Sequence, residues 1–183
     1  MRLLRAVPRS VLWLLDANPW ARANLAREAT ARGVEPERIV FAPRMPVPEH
    51  LTRQRLADLF LDTLPYNAHT TASEALWAGL PVLTCAGDTF AGRVAGGLLR
   101  AIGLNELVTT SLDEYEALAL QLARNSETLA RLRTRLLENR RTHPLFDTAR
   151  FTRNLEAAYV QMWETWRAGR PPIAFAVSPS PDN

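Results

Sequence analysis

The chain has 183 residues, 47% of them hydrophobic, which suits one domain with a buried core and excludes a disordered polymer. Its formal charge of +3 comes from 22 basic residues, all of them arginine, against 19 acidic ones spread along the chain; with no basic run interleaved with aromatics, this balance argues against a nucleic-acid partner. The single cysteine, Cys85, excludes an internal disulfide and agrees with a cytoplasmic setting, His50, His69 and His143 lack metal-ligand spacing, and no uncharged apolar stretch of about 18 residues is present to span a membrane.

In chain order, residues 1–7 read as the last turns of an amphipathic helix, followed by a turn at Pro8-Arg9. The run 11–15 follows three arginines, as a signal peptide would, but five apolar residues ending at Asp16 are too few for its apolar region, so the run is a strand. Further apolar runs at 39–42, 59–61, 81–85 and, more weakly, 106–109 alternate with segments of helical period at 19–32, 48–57, 71–78 and 89–102. That alternation predicts an α/β fold with a parallel, Rossmann-like sheet and flanking helices. The continuous hydrophobicity of 11–15 and 81–85 predicts strands covered on both faces.

Beyond about residue 110 the strand pattern gives way to three helices, 112–124, 126–141 and 148–167, with starts at Ser111 and Ser126 and a stop at Gly169 and Pro171-Pro172. The organisation expected is one Rossmann-like lobe over 1–170 and a flexible, proline-rich tail over 171–183. A doubly wound domain normally opens with its central strand, so a chain opening on a helix is expected to lack that strand, and the open slot to promote self-association.

The segment from Asp62 to Glu74 joins a strand end to a helix start, the place where doubly wound sheets bind ligands. A helix N-terminus offers unpaired amides and a partial positive charge of about half a unit, which suits a phosphate without any lysine, and Thr70 and Thr71 add hydroxyls. Thr71 and Glu74 also fit a capping box, in which hydroxyl and carboxylate serve the helix's own orphan amides. The residues alone leave both readings open for the threonines, whereas Glu74 cannot fully serve a cap and a ribose at once. His69 alone is as compatible with a satisfied loop histidine. Gly92, Gly96 and Gly97 lack dinucleotide-loop spacing and are read as helix-packing glycines, Cys85 as a buried small residue, His143 as structural, and Trp163 and Trp166 as core or inter-lobe packing.

The stretches Leu56-Ala57-Asp58-Leu59-Phe60-Leu61-Asp62-Thr63, Asn67-Ala68-His69-Thr70-Thr71 and Ala75-Leu76-Trp77-Ala78-Gly79-Leu80-Pro81-Val82 closely resemble the O-GlcNAc transferase and SPINDLY-like glycosyltransferase family. The likeness begins at Ser10-Val11-Leu12-Trp13 and continues through Arg93-Val94-Ala95 and Pro144-Leu145-Phe146 to Tyr159-Val160-Gln161-Met162-Trp163-Glu164. It implies the C-terminal lobe of a two-lobed GT-B enzyme, an inverting, metal-independent transferase that holds UDP-GlcNAc as its donor. By resemblance the backbone around Met45 and Arg53 meets the uracil edge, and His50 packs on the uracil ring. Glu74 takes the place of a ribose-binding carboxylate that is often aspartate, and His69, Thr70 and Thr71 contact the diphosphate.

Two departures qualify that transfer. Val47 stands where some members have a lysine near the ribose. The family's phosphate-contacting glutamine and lysine, its acceptor-binding lobe and its tetratricopeptide repeats have no counterpart in these residues, so no catalytic group is assigned here and the chain alone is expected to be inactive. Two alternatives accompany this reading: an O-fucosyltransferase lobe using GDP-fucose, since SPINDLY-like proteins share the motifs, and a truncated, non-catalytic interaction module.

Overall fold

The computed structural model describes residues 1–177; the end of the expected tail, 178–183, lies outside the described residues. The first helix, α1 (Arg2–Ala6), is too short to stand on its own hydrogen bonds. It is held by Arg38, whose guanidinium donates to the carbonyls of Leu4 (2.7 Å), Val7 (2.8 Å) and Ser10 (2.9 Å). Strand β1 (Leu12–Leu15) pairs in parallel with β2 (Ile39–Ala42), Leu12 opposite Ile39. Between them runs α2 (Pro19–Ala31), started by proline at its first position and by the Asn18 side chain, which accepts from the amide of Ala21 at 2.7 Å. A 3₁₀ turn at Pro36–Arg38 leads into β2.

Helix α3 (Val47–Gln54) then crosses to a second parallel group, ordered β3 (Phe60–Leu61), β4 (Val82–Cys85), β5 (Val108–Thr109). All four residues of β4, Thr84 among them, are buried as expected, whereas β1, expected to be covered on both faces as well, buries none, since only the small β1–β2 core packs on it. Helix α4 (Thr70–Ala78) joins β3 to β4 and ends at Gly79, whose φ of 86° is a left-handed value that favours glycine. Helix α5 (Val94–Ala101) and a 3₁₀ turn at Asn105–Leu107 join β4 to β5. The helix expected over 89–102 thus starts late. The Gly87 amide donates to the Gly92 carbonyl at 2.8 Å, closing a loop, and a Cβ on Gly92 would lie 3.2 Å from both the Gly87 Cα and the Pro65 carbonyl oxygen. Gly92 therefore serves close contact between two loops, and Gly97, with open space around it, packs against nothing.

Three helices complete the lobe: α6 (Leu112–Arg124), α7 (Ser126–Thr142) and α8 (Thr148–Arg167). Ser111 caps α6 as expected, but the α7 cap is Asn125, which accepts from Thr128, and Ser126 is the first helical residue. The main core gathers Leu76, Val82, Leu99, Ile102, Leu104 and Leu136 between α4, α5, α7 and the β3–β5 group. A smaller core joins Leu4, Ala29, Val34 and Ile39 around β1 and β2. Helix α8 buries no residue, and Trp163 and Trp166 stack on each other at 4.8 Å while remaining largely exposed. Of the two roles expected for them, core or inter-lobe packing, the first does not hold, because α8 packs chiefly on the turn at Pro144–Phe146. No helix among the described residues is long and apolar enough to cross a membrane.

Candidate functional site

The loop that leaves β3 is built around a buried carboxylate. Asp62 Oδ1 accepts from the amides of Thr63 (2.8 Å) and Ala68 (2.6 Å), and Oδ2 accepts from the Thr84 hydroxyl of β4 at 2.6 Å. The Asp62 carbonyl in turn accepts from the Tyr115 hydroxyl of α6 at 3.1 Å. Burial first, then the Asp62 charge and Cys85, push the Tyr115 phenol above its ordinary range, keeping it a donor. Asn67, also buried, donates its amide to the Ala91 carbonyl at 3.1 Å and its side chain to the Thr63 carbonyl at 3.2 Å. The loop's shape is therefore set from within and from its neighbour.

Helix α4 starts where this loop ends. Its N-cap is His69, whose side chain makes no capping bond, and Thr71 is the second residue of its first turn. The capping box is thus not formed, since Thr71 is already helical and cannot reach the amide three residues ahead as a cap does. The first amide taken up is that of Ser73, donating to the His69 carbonyl at 3.0 Å. Those of Thr70, Thr71 and Ala72 donate to no acceptor among the described residues, and the side chains of Thr70 and Thr71 are exposed. The His69 ring stacks on Tyr66 at 4.8 Å and meets Phe90 edge-on at 6.2 Å, and its Nε2 is buried without a partner.

One helical turn further on, Glu74 faces α3, with Oε2 3.7 Å from His50 Nε2. Released from the cap, its carboxylate belongs to the cleft between α3 and α4. His50 Nδ1 lies 3.1 Å from an Arg53 nitrogen, and Nε2 lies 2.9 Å from the Gln54 amide. Arginine only donates, so Nδ1 accepts and Nε2 carries the proton. Turning the Gln54 side-chain amide over would set Oε1, buried without a partner as placed, where it accepts that proton. Arg53 also donates to the Pro43 carbonyl at 2.8 Å and lies over the Trp13 ring, its centre 5.2 Å from the centroid. Its side chain thereby fastens the loop before α3. Met45, on that loop, lines a shallow depression with Pro48, Glu49, Thr52, Arg53 and Leu56.

The structure thus brings His50, Arg53 and Glu74 together across α3 and α4, sets His69, Thr70 and Thr71 on the start of α4, and leaves Met45 on the outer side of α3. Sequence reasoning did not single out Asp62, Thr84 or Tyr115. A carboxylate closing an apolar strand directly before turn residues was the available sign for Asp62. Cys85 is buried, and His143 crowds Gly103, where a Cβ would meet its Nε2 at 2.5 Å. Among the described residues no group of three histidines, cysteines or carboxylates gathers as a metal site.

Two small parallel sheets with flanking helices, whose strand ends feed a loop, an uncapped helix start and a polar cleft, define an α/β lobe of Rossmann-like kind. Residues 1–155 match the model of Glycosyl transferase family 41, and the chain belongs to that family. It is 42% identical over 176 residues to a probable UDP-N-acetylglucosamine–peptide N-acetylglucosaminyltransferase SEC of Arabidopsis thaliana, covering 96% of this chain and 18% of the relative. The Caenorhabditis elegans UDP-N-acetylglucosamine–peptide N-acetylglucosaminyltransferase is 35% identical, with 93% of this chain and 15% of that protein covered. A solved Thermobaculum terrenum O-GlcNAc transferase carrying a K341M substitution superposes with a TM-score of 0.85 at 40% identity, covering 92% of this chain and 33% of that one. The fold is therefore that of a lobe of a GT-B O-GlcNAc transferase, and the chain spans less than a fifth of the length of these curated relatives.

Proposed function

We propose that this chain is the UDP-GlcNAc-holding lobe of an inverting, metal-independent protein O-linked N-acetylglucosaminyltransferase. The observation that carries the proposal is the start of α4: three amides without acceptors, two exposed threonine hydroxyls and a buried, unpartnered His69 nitrogen on one rigid loop. Oriented amides and a helix dipole stabilise a leaving diphosphate electrostatically, the task a metal performs in other transferases. Glu74 supplies the ribose acceptor, His50 the face for the base, and the backbone near Met45 and Arg53 the edge contacts. The names of the two relatives, which specify UDP-N-acetylglucosamine and a peptide, support the donor and the protein acceptor.

Transfer itself requires a second lobe to bring the acceptor to the sugar, because positioning contributes much of the catalysis of a two-substrate reaction. The chain alone is proposed to bind donor without transferring it, to work in the cytoplasm, and to engage neither nucleic acid nor membrane. Calorimetric titration of UDP-GlcNAc against GDP-fucose tests the reading. Tighter binding of UDP-GlcNAc is expected; tighter GDP-fucose would make this a fucosyl-transferring lobe, and heat from neither would remove the nucleotide-sugar assignment.

A further inference from the structure

We infer that Asp62 is a positioning residue that sets the diphosphate cradle by hydrogen bonding, without touching the ligand. The inference rests on the proposed nucleotide reading and extends it to a residue outside the cleft wall. Its basis is the way one buried carboxylate closes the loop: Oδ1 gathers the amides at both ends, Thr63 and Ala68, and Oδ2 takes the Thr84 hydroxyl from β4. Ala68 immediately precedes His69, the cap of α4, so the bond at 2.6 Å fixes the backbone two peptides ahead of the free Thr70 amide and sets the entry of the chain into α4.

The anchor is itself anchored. The Thr84 carbonyl accepts from the Thr109 hydroxyl of β5 at 3.0 Å, and the Asp62 carbonyl accepts from Tyr115. Strand β4 directly, and β5 through it, therefore reach the start of α4 by way of the Asp62 side chain, while α6 holds the same residue by its backbone carbonyl. The His50, Arg53 and Gln54 group makes none of these contacts and is held from α3 by its own bonds. The start of α4 that would meet the diphosphate and the α3 group that would meet the base are thus supported separately, and Asp62 serves the first.

That separation can be measured on the 183-residue chain by NMR titration with UDP, with uridine and with inorganic pyrophosphate. Asp62→Ala leaves two amides and a hydroxyl without their acceptor, and is expected to weaken UDP and pyrophosphate by about tenfold or more while uridine stays within about threefold of the unsubstituted chain. Asp62→Asn keeps an oxygen for both amides and an NH₂ that the Thr84 hydroxyl can accept from, and is expected to restore UDP to within about threefold. Thr84→Val, isosteric and lacking the hydroxyl, is expected to weaken UDP by about threefold to tenfold and to spare uridine.

Unchanged UDP affinity in Asp62→Ala and Thr84→Val overturns the inference. Equal losses of UDP and uridine also overturn it, since they report a fold defect in place of a local one, and so does an Asp62→Asn variant as weak as Asp62→Ala. If Asp62→Ala does not fold, Thr84→Val and Asp62→Asn decide the matter by the same criteria. An unsubstituted chain that binds neither UDP nor uridine refutes the nucleotide reading itself, an outcome distinct from normal binding that the substitutions leave untouched.

Discussion

Thr71→Val separates the two uses open to the start of α4. Valine keeps the shape and β-branching of threonine and removes only the hydroxyl, so helix propensity scarcely changes. If Thr71 capped the helix, losing the oxygen would cost about 1 kcal/mol, or roughly 2–4 °C of melting temperature for a domain of this size. The structure places Thr71 inside the helix, exposed, with no hydrogen bond to its side chain among the described residues, so the expected change is under about 0.5 kcal/mol. Binding carries the opposite expectation. A hydroxyl bonded to a charged phosphate contributes about 1.5–3 kcal/mol, reduced to about 1 kcal/mol at this exposed site, which weakens UDP roughly fivefold. Thermal unfolding by circular dichroism and UDP calorimetry measure the two quantities on one preparation. A melting temperature lowered by more than about 2 °C with unchanged affinity would refute the reasoning, returning Thr71 to a structural role.

Leu76→Ala empties a fully buried position where α4 meets the main core, and is expected to lose about 2–5 kcal/mol in denaturant unfolding; a loss below about 1 kcal/mol would show that this face of α4 is not close-packed. Arg38→Met keeps the aliphatic stem but removes the donors that hold α1, so hydrogen exchange of residues 1–10 is expected to accelerate by at least about tenfold, and unchanged protection would refute the anchor. Tyr115 predicts an alkaline limb. Burial favours its neutral phenol in the folded state, so its folded pKa lies above the unfolded value near 10, and its contribution is complete below that value and lost as pH rises through it toward the folded one. The chain has no lysine to titrate in the same window, so Tyr115→Phe is expected to flatten the stability profile above about pH 10; coincident profiles for the two proteins would contradict the assignment.

Elements with a strong internal pattern are legible in the residues themselves. β4 is apolar but for Thr84 and is buried throughout, while α6 and α8 carry both periodicity and a capping side chain and begin and end where expected. What was lost depended on distant partners. The segment 89–93 has helical spacing, yet Gly87, Gly92 and Pro65 meet there too closely for a helix, a constraint set by a loop more than twenty residues upstream. The same holds in the site. Thr71 and Glu74 matched a local capping rule that fails because α4 starts at Thr70 with His69 as its cap, and Asp62 gained its role only when β4 brought Thr84 beside it. Trp163 and Trp166 show the converse: their helical spacing is real, but spacing alone does not supply a surface to cover them.

Two cores that share no buried residue, one around β1 and β2 and one around β3 to β5, make the lobe a pair of blocks meeting along a seam. The smaller block, resting on four buried side chains, should loosen at a lower temperature, giving a broad or stepped calorimetric transition. A nucleotide held on α3 and the start of α4 would bear on Arg53, which reaches the Pro43 carbonyl after β2 and the Trp13 ring of β1, and the free energy of its binding would oppose the parting of the blocks. Donor occupancy would then act as mortar as well as cargo, sharpening the melt into a single step.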